Sequence, residues 1–184
     1  MCFHAGYRYN GSGRVSYDTS NGSTFYGLIT FSLSQMIDRM NGGVGLGAKV
    51  NCTDSADTVS TLANLLGCDL WQSRMSSPFG FALNEVIAIG YGIWAVPFGY
   101  GFNYHEVAWK GACTQNENIF DGCLKVDGDA DPTTAPHSPL LPTNMLFGGC
   151  GNLDYRLRLC PPTSDGCANC VPQPGTTRQR RPIN

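Results

Sequence analysis

Apolar residues return at three- and four-residue steps along Asn51–Gly67, at Ala56, Val59, Leu62, Ala63 and Leu66. That step is the period of one buried helical face, so a helix is predicted here. Its ends are marked as well. Asn51 is a good N-cap, Asp54 stands where a capping box wants an acid, and Gly67 is a natural stop. Cys52 is then the first helical residue. A second helix is expected over 30–40, closed by Asn41-Gly42-Gly43. Elsewhere the pattern is that of strands. Tyr104-His105-Glu106-Val107-Ala108-Trp109 alternates, with His105, Val107 and Trp109 on one face and His105 opening the strand. Residues 119–126, with Asp121 among them, read as the next strand. A polar connection of about ten residues between the two predicts an antiparallel hairpin. A shorter strand is expected at Arg14–Tyr17, and a glycine-rich loop after the second helix is expected to run up to Lys49.

The longest apolar run, 79–102, carries Asn84, Glu85, Pro97 and several glycines. A membrane span needs ~20 predominantly apolar residues in a row, so this run is read as core strands, or a short helix plus a strand. No membrane insertion is expected. Helices beside an antiparallel sheet make the predicted class α+β. The length of 184 residues suits one domain, set at 1–160. From 161 to 184 the chain is rich in Pro, Gly, Thr and Arg, and a largely disordered tail is expected.

Composition narrows the function classes. Charged residues make up 14%, glycines number 23 and the net charge is −2, which argues against broad nucleic-acid binding. The opening Met1–Tyr7 lacks a basic flank followed by an apolar run, so no signal peptide is expected there. The chain is compatible with being a piece of a larger polypeptide.

The chemistry gathers on three residues. Cys52 at a helix start meets unpaired N–H groups and the positive end of the dipole, both of which stabilise a thiolate. Asp54 and Asp57 in the same turns oppose that effect, so a cationic partner is needed. His105 supplies a base, and Asp121 a carboxylate to hold the ring's tautomer and orientation. Each residue has a plainer reading: Cys52 as a small buried residue, His105 as a satisfied strand histidine, Asp121 as a strand-edge charge. A Cys52–Cys68 bridge is ruled out by the helix, whose ~1.5 Å rise per residue separates them by roughly 24 Å.

The segments Asn-Cys-Thr-Asp-Ser-Ala (51–56), His-Glu-Val-Ala-Trp (105–109) and Phe-Asp-Gly-Cys (120–123) resemble the transglutaminase-like core of the papain-type cysteine enzymes. The spacings, 53 residues from Cys52 to His105 and 16 more to Asp121, suit that order of residues. The resemblance covers roughly residues 50 to 130. It implies a nucleophile helix packed on an antiparallel sheet, with Cys52 as nucleophile, His105 as general base and acid, and Asp121 as orienting carboxylate. It implies a protein or peptide substrate and no cofactor. Thr53 and Asp54 follow the cysteine where family members often carry an aromatic residue, and no side-chain donor for an oxyanion stands out.

Two function classes remain from the sequence. One is thiol-dependent acyl transfer on an amide or ester, as peptidase, amidase, deamidase or transglutaminase. The other is a non-catalytic binding or structural domain in which the three residues are incidental. Cys150, Cys160, Cys167 and Cys170 are open to disulfides, free thiols or zinc. Asp127, Asp129 and Asp131 begin like a calcium loop but lack its closing glycine and glutamate. His137 has no carboxylate or cysteine beside it in sequence and is read as structural.

Overall fold

A computed structural model of the chain describes residues 15–20, 25–27, 29–41, 48–140 and 145–184. Cys2, Arg14 and the glycine-rich 42–47 stretch lie outside these. The elements run β1 (Val15–Tyr17), α1 (Leu33–Met40), β2 (Ala48–Val50), α2 (Cys52–Leu65), β3 (Leu70–Ala82), β4 (Val86–Ala88), β5 (Trp94–Ala95) and β6 (Gly101–Lys110). Then come β7 (Asn118–Phe120), β8 (Leu124–Lys125), β9 (Met145–Leu146), α3 (Tyr155–Leu159), β10 (Val171–Pro172) and the single turn α4 (Pro174–Thr177). The class is α+β. Five strands in the order β10-β3-β6-β7-β9 form a wholly antiparallel sheet. A smaller antiparallel sheet β5-β4-β8 and a parallel β1-β2 pair complete it. Among the described residues no helix is long and apolar enough to cross a membrane.

Helix α2 has the predicted ends and a largely unpredicted face. The Asn51 side chain accepts the Asp54 N–H at 3.0 Å, and Asp54 Oδ2 accepts the Asn51 N–H at 3.0 Å. This reciprocal capping box starts α2 at Cys52. Leu66 closes the helix, and Gly67 follows at φ +86°, a left-handed exit that a side chain would strain. Of the predicted apolar stripe only Ala56 is buried; Val59, Leu62 and Ala63 are half-buried, and Leu66 is 70% exposed. What faces the sheet is a polar stripe. Thr53 donates to Glu106 Oε2 at 2.9 Å, Asp57 receives Arg181, Ser60 accepts from Gln72 at 2.7 Å, and Asn64 bonds the Leu70 backbone in both directions. These positions share one helical face. Their polarity is tolerated because each finds a partner on β3, on β6 or in the C-terminal segment.

β3 and β6 form the spine of the main sheet. They pair from Leu70↔Lys110 to Ser76↔Tyr104, and after a bulge at Phe81↔Phe102 and Ala82↔Gly101. Gly80 sits in the bulge at φ +72°, where a Cβ would lie 2.7 Å from the Phe102 carbonyl oxygen. Trp109, fully buried, donates to the Ser73 carbonyl at 3.0 Å and packs on Phe147 at 5.0 Å. The hairpin of β6 and β7 forms as expected, with Ala108↔Phe120 and Trp109↔Ile119 paired.

Three expectations need correction. His105 lies in the middle of β6, because the strand begins at Gly101. Residues 119–126 are not one strand: the chain leaves β7 at Asp121, turns through Gly122 and Cys123, and re-enters as β8 against β4. Finally, residues 161–184 are not a detached tail. β10 pairs β3 at Val171↔Ser76, Gln179 bridges Gln72, and Ile183 bridges Phe31. The Arg178 and Arg180 guanidiniums stack on Trp71 at 3.5 and 4.0 Å, and Cys167 is disulfide-bonded to Cys150. Composition suggested disorder because the segment is poor in aliphatic residues. Its order comes from backbone pairing, cation–π stacking and a covalent link instead.

Candidate active site

Cys52 reaches the site through β2. Tyr17↔Val50 pairing ends the β1-β2 ribbon, Asn51 caps, and Cys52 stands at the first helical position, 4% exposed. There the first-turn N–H groups have no intrahelical acceptors. His105 projects from mid-β6 with no exposed surface, its ring stacked on Phe102 at 5.1 Å and an interplanar angle of 11°. Asp121 follows β7 directly. Continuing the β6-β7 register sets it opposite Val107, on the same face as His105.

The three predicted residues are brought together. His105 Nε2 bonds Asp121 Oδ2 at 2.9 Å, while Nδ1, also buried, has no hydrogen-bond partner among the described residues. The Cys52 sulfur is close enough to raise the proton affinity of that ring, though it stands outside hydrogen-bond geometry to Nδ1. Asp121 is held from every side. Its Oδ2 also accepts the Tyr155 hydroxyl at 2.7 Å, and its Oδ1 accepts the N–H groups of Cys123 at 2.8 Å and Leu124 at 3.1 Å. Gly122 lets this turn lie on the helix, since a Cβ there would meet Val59 Cγ2 at 2.7 Å.

The electrostatics follow from burial and partners. Burial disfavours charge on His105, but the Asp121 carboxylate and the Cys52 sulfur outweigh it and raise the ring to about 10. Burial likewise pushes Asp121 up, yet the His105 charge and hydrogen bond, with Tyr155 and the Cys123 N–H, bring it below its ordinary value. Asp121 is thus a carboxylate and His105 an imidazolium near neutral pH.

Several neighbours were not foreseen. Tyr17, 3% exposed, is pushed well above its ordinary value by burial and then by the charges of Cys52, Cys123 and Asp121. Tyr104 stands on the other side, its hydroxyl 3.5 Å from Thr53 Oγ1. The signal for Tyr17 is its place at the end of the predicted first strand; only the parallel β1-β2 pairing turns that into proximity to Cys52. Tyr155 comes from the C-terminal third, and nothing local marks it. Cys123 lies buried beside the pair, and one ligand atom each from His105, Asp121 and Cys123 falls within 4.8 Å. Both Asp121 oxygens already accept hydrogen bonds there, so a metal would have to displace them.

Outside the site the remaining candidates are redistributed. Cys150 and Cys167 are bonded, which removes them from a four-cysteine zinc site, and Cys160 and Cys170 are buried free thiols beside each other. Asp127, Asp129 and Asp131 turn their carboxylates onto nearby chain N–H groups. His137 does have carboxylate neighbours. Its Nδ1 meets Asp127 at 2.7 Å and its Nε2 meets Glu85 at 2.9 Å, with the ring against Trp94. Glu85 is 52 residues away in sequence, and Asp127 reaches His137 only because the 127–140 loop closes on itself.

Compared with known proteins, the chain matches no family model, no curated protein and no solved structure.

Proposed function

We propose that this protein is a thiol-dependent acyl-transfer enzyme acting on amide or ester bonds of a protein or peptide, of the transglutaminase-like, papain-type kind. One observation carries the reading. A buried histidine gives one ring nitrogen to a fixed carboxylate and keeps the other unpartnered beside a helix-start cysteine. A structural histidine at full burial would be expected to satisfy both nitrogens.

In this reading Cys52 attacks the substrate carbonyl as thiolate, with the His105 imidazolium as its counter-ion. The carbonyl carbon gains the sulfur, and its oxygen takes the negative charge. The Cys52 and Thr53 N–H groups at the start of α2 and the Tyr17 hydroxyl are the donors offered to that oxygen. His105 then gives its proton to the leaving amine or alkoxide, which departs and leaves a thioester. Water or an amine, deprotonated by His105, resolves the thioester and restores the thiolate. Asp121 stays ionised throughout and holds the ring. Hydrolysis gives a peptidase, amidase or deamidase; an amine acceptor gives a transglutaminase.

The test is the rate at which iodoacetamide alkylates each thiol at mildly acidic pH. Cys52 is expected to react faster than the other thiols in the native protein, and to lose that advantage in His105→Ala. Equal labelling of all accessible thiols would favour a non-catalytic binding or structural domain.

A further inference from the structure

The aromatic contacts around His105 do not end inside the protein. Phe102, stacked on His105, meets Phe98 edge-on at 5.7 Å, and Tyr17, beside Cys52, meets the same Phe98 edge-on at 5.8 Å. Phe102 and Tyr17 are buried, whereas Phe98 is 42% exposed. Phe98 therefore caps the two rings that flank the nucleophile and its base, and turns its outer side to solvent.

The backbone there is unusual. Phe98 lies at φ +63°, ψ 8°, between Pro97 and a Gly99 at φ +73°. A bulky side chain is a true outlier in this region, which glycine or asparagine would occupy with little strain. The turn needs the left-handed conformation and does not need phenylalanine. The ring contributes little to the core either, being the exposed end of the cluster. Strain retained at a site's edge points to a function for the side chain that carries it.

We propose that Phe98 is the specificity-determining wall of an apolar subsite, and that the substrates carry an aromatic or large aliphatic side chain at the second or the third residue from the reacting carbonyl. This rests on the assignment of Cys52 as nucleophile. Two ring contacts separate Phe98 from His105, a reach that a few residues of extended chain at ~3.3 Å each will span. The edge-on contacts with Tyr17 and Phe102 orient the Phe98 ring, so a substrate side chain meets a surface already in place. Phe79, 88% exposed, makes no ring contact with another described residue and is no comparable platform.

The experiment compares peptidyl chloromethyl ketones that differ only in Phe or Gly at the second or the third residue from the reactive group, on the wild-type protein, Phe98→Gly and Phe98→Leu. The second-order rate of Cys52 alkylation is read by peptide mass spectrometry. Wild type should prefer the Phe reagent by roughly 10-fold or more, the range a hydrophobic pocket supplies. Phe98→Gly relieves the backbone strain and so is expected to fold; it should bring the ratio of the two rates close to one. Phe98→Leu should keep an intermediate ratio. Selective, His105-dependent labelling by iodoacetamide with no Phe/Gly preference in wild type overturns the subsite and leaves the nucleophile standing. A preference that survives in Phe98→Gly overturns it as well. If iodoacetamide labelling is unselective, the nucleophile assignment fails and the subsite falls with it.

Discussion

Asp121 keeps His105 in its charged form beside Cys52, and that has measurable consequences at the scale of single residues. The folded ring titrates at about 10 against an ordinary 6.5. A raised folded value means that the histidine's contribution to stability is fully present below pH 6.5 and is lost as pH rises toward 10. Urea unfolding at pH 7 and pH 10 should show this loss in wild type and not in His105→Asn. Activity separates the three residues further. Cys52→Ala and His105→Ala should abolish turnover with the fold intact by circular dichroism. Asp121→Asn should leave a residue of activity, about 10⁻⁴ of wild type, since the carboxylate orients the base without moving a proton itself. A wild-type rate in Cys52→Ala would refute the triad outright.

At the scale of elements, the contact between α2 and the sheet is polar and ionic. The Arg181 guanidinium meets both oxygens of Asp57, at 3.0 and 3.1 Å, and Glu106 Oε1 at 2.9 Å. Arg74 meets Glu106 Oε2 at 3.0 Å. Arg181 is therefore a counter-ion shared by Asp57 on α2 and Glu106 on β6. Arg181→Met should cost about 3 kcal/mol in chemical denaturation at pH 8, because it strands the Asp57 charge while Glu106 keeps Arg74. Burial, only partly offset by Arg181, raises Asp57 from 3.8 to about 7. The stability tied to Asp57 is thus fully present below pH 3.8 and declines as pH rises through about 7, and Asp57→Asn should flatten that decline. Packing matters equally where the Asp121 turn crosses the helix. Gly122→Ala forces a Cβ into Val59 and should cost about 1–3 kcal/mol, with a fall in activity as Asp121 shifts from His105. Equal activity and melting temperature in that variant would mean the turn is free to move.

For the whole molecule, the C-terminal quarter serves as a brace. It supplies Tyr155 to Asp121, Arg181 to α2, an edge strand to β3 and the Cys150–Cys167 disulfide across 17 residues of sequence. Truncation after Leu159 removes all but the first of these and should abolish cooperative unfolding. Cys150→Ser alone should cost about 3 kcal/mol, the scale for a loop of that length. A truncated chain that unfolds like the full one would return residues 160–184 to the status of a dispensable tail.

Sequence alone determined the local decisions. Asn51, Asp54 and Gly67 set both ends of α2, and so Cys52 at its start, because capping is chemistry between residues a few positions apart. The alternation around His105 and the polar connection after it specified the β6-β7 hairpin for the same reason. Only the tertiary structure decided which face of α2 is buried, since Thr53, Asp57, Ser60 and Asn64 become good inward residues only when Glu106, Arg181, Gln72 and Leu70 are there to meet them. It also decided that Asp121 leaves its strand, that His137 meets Glu85, that Tyr17 lies beside Cys52 and that Arg181 lies beneath α2. Each of these depends on partners distant in the chain, and a polar group carries no local mark of which distant partner will satisfy it.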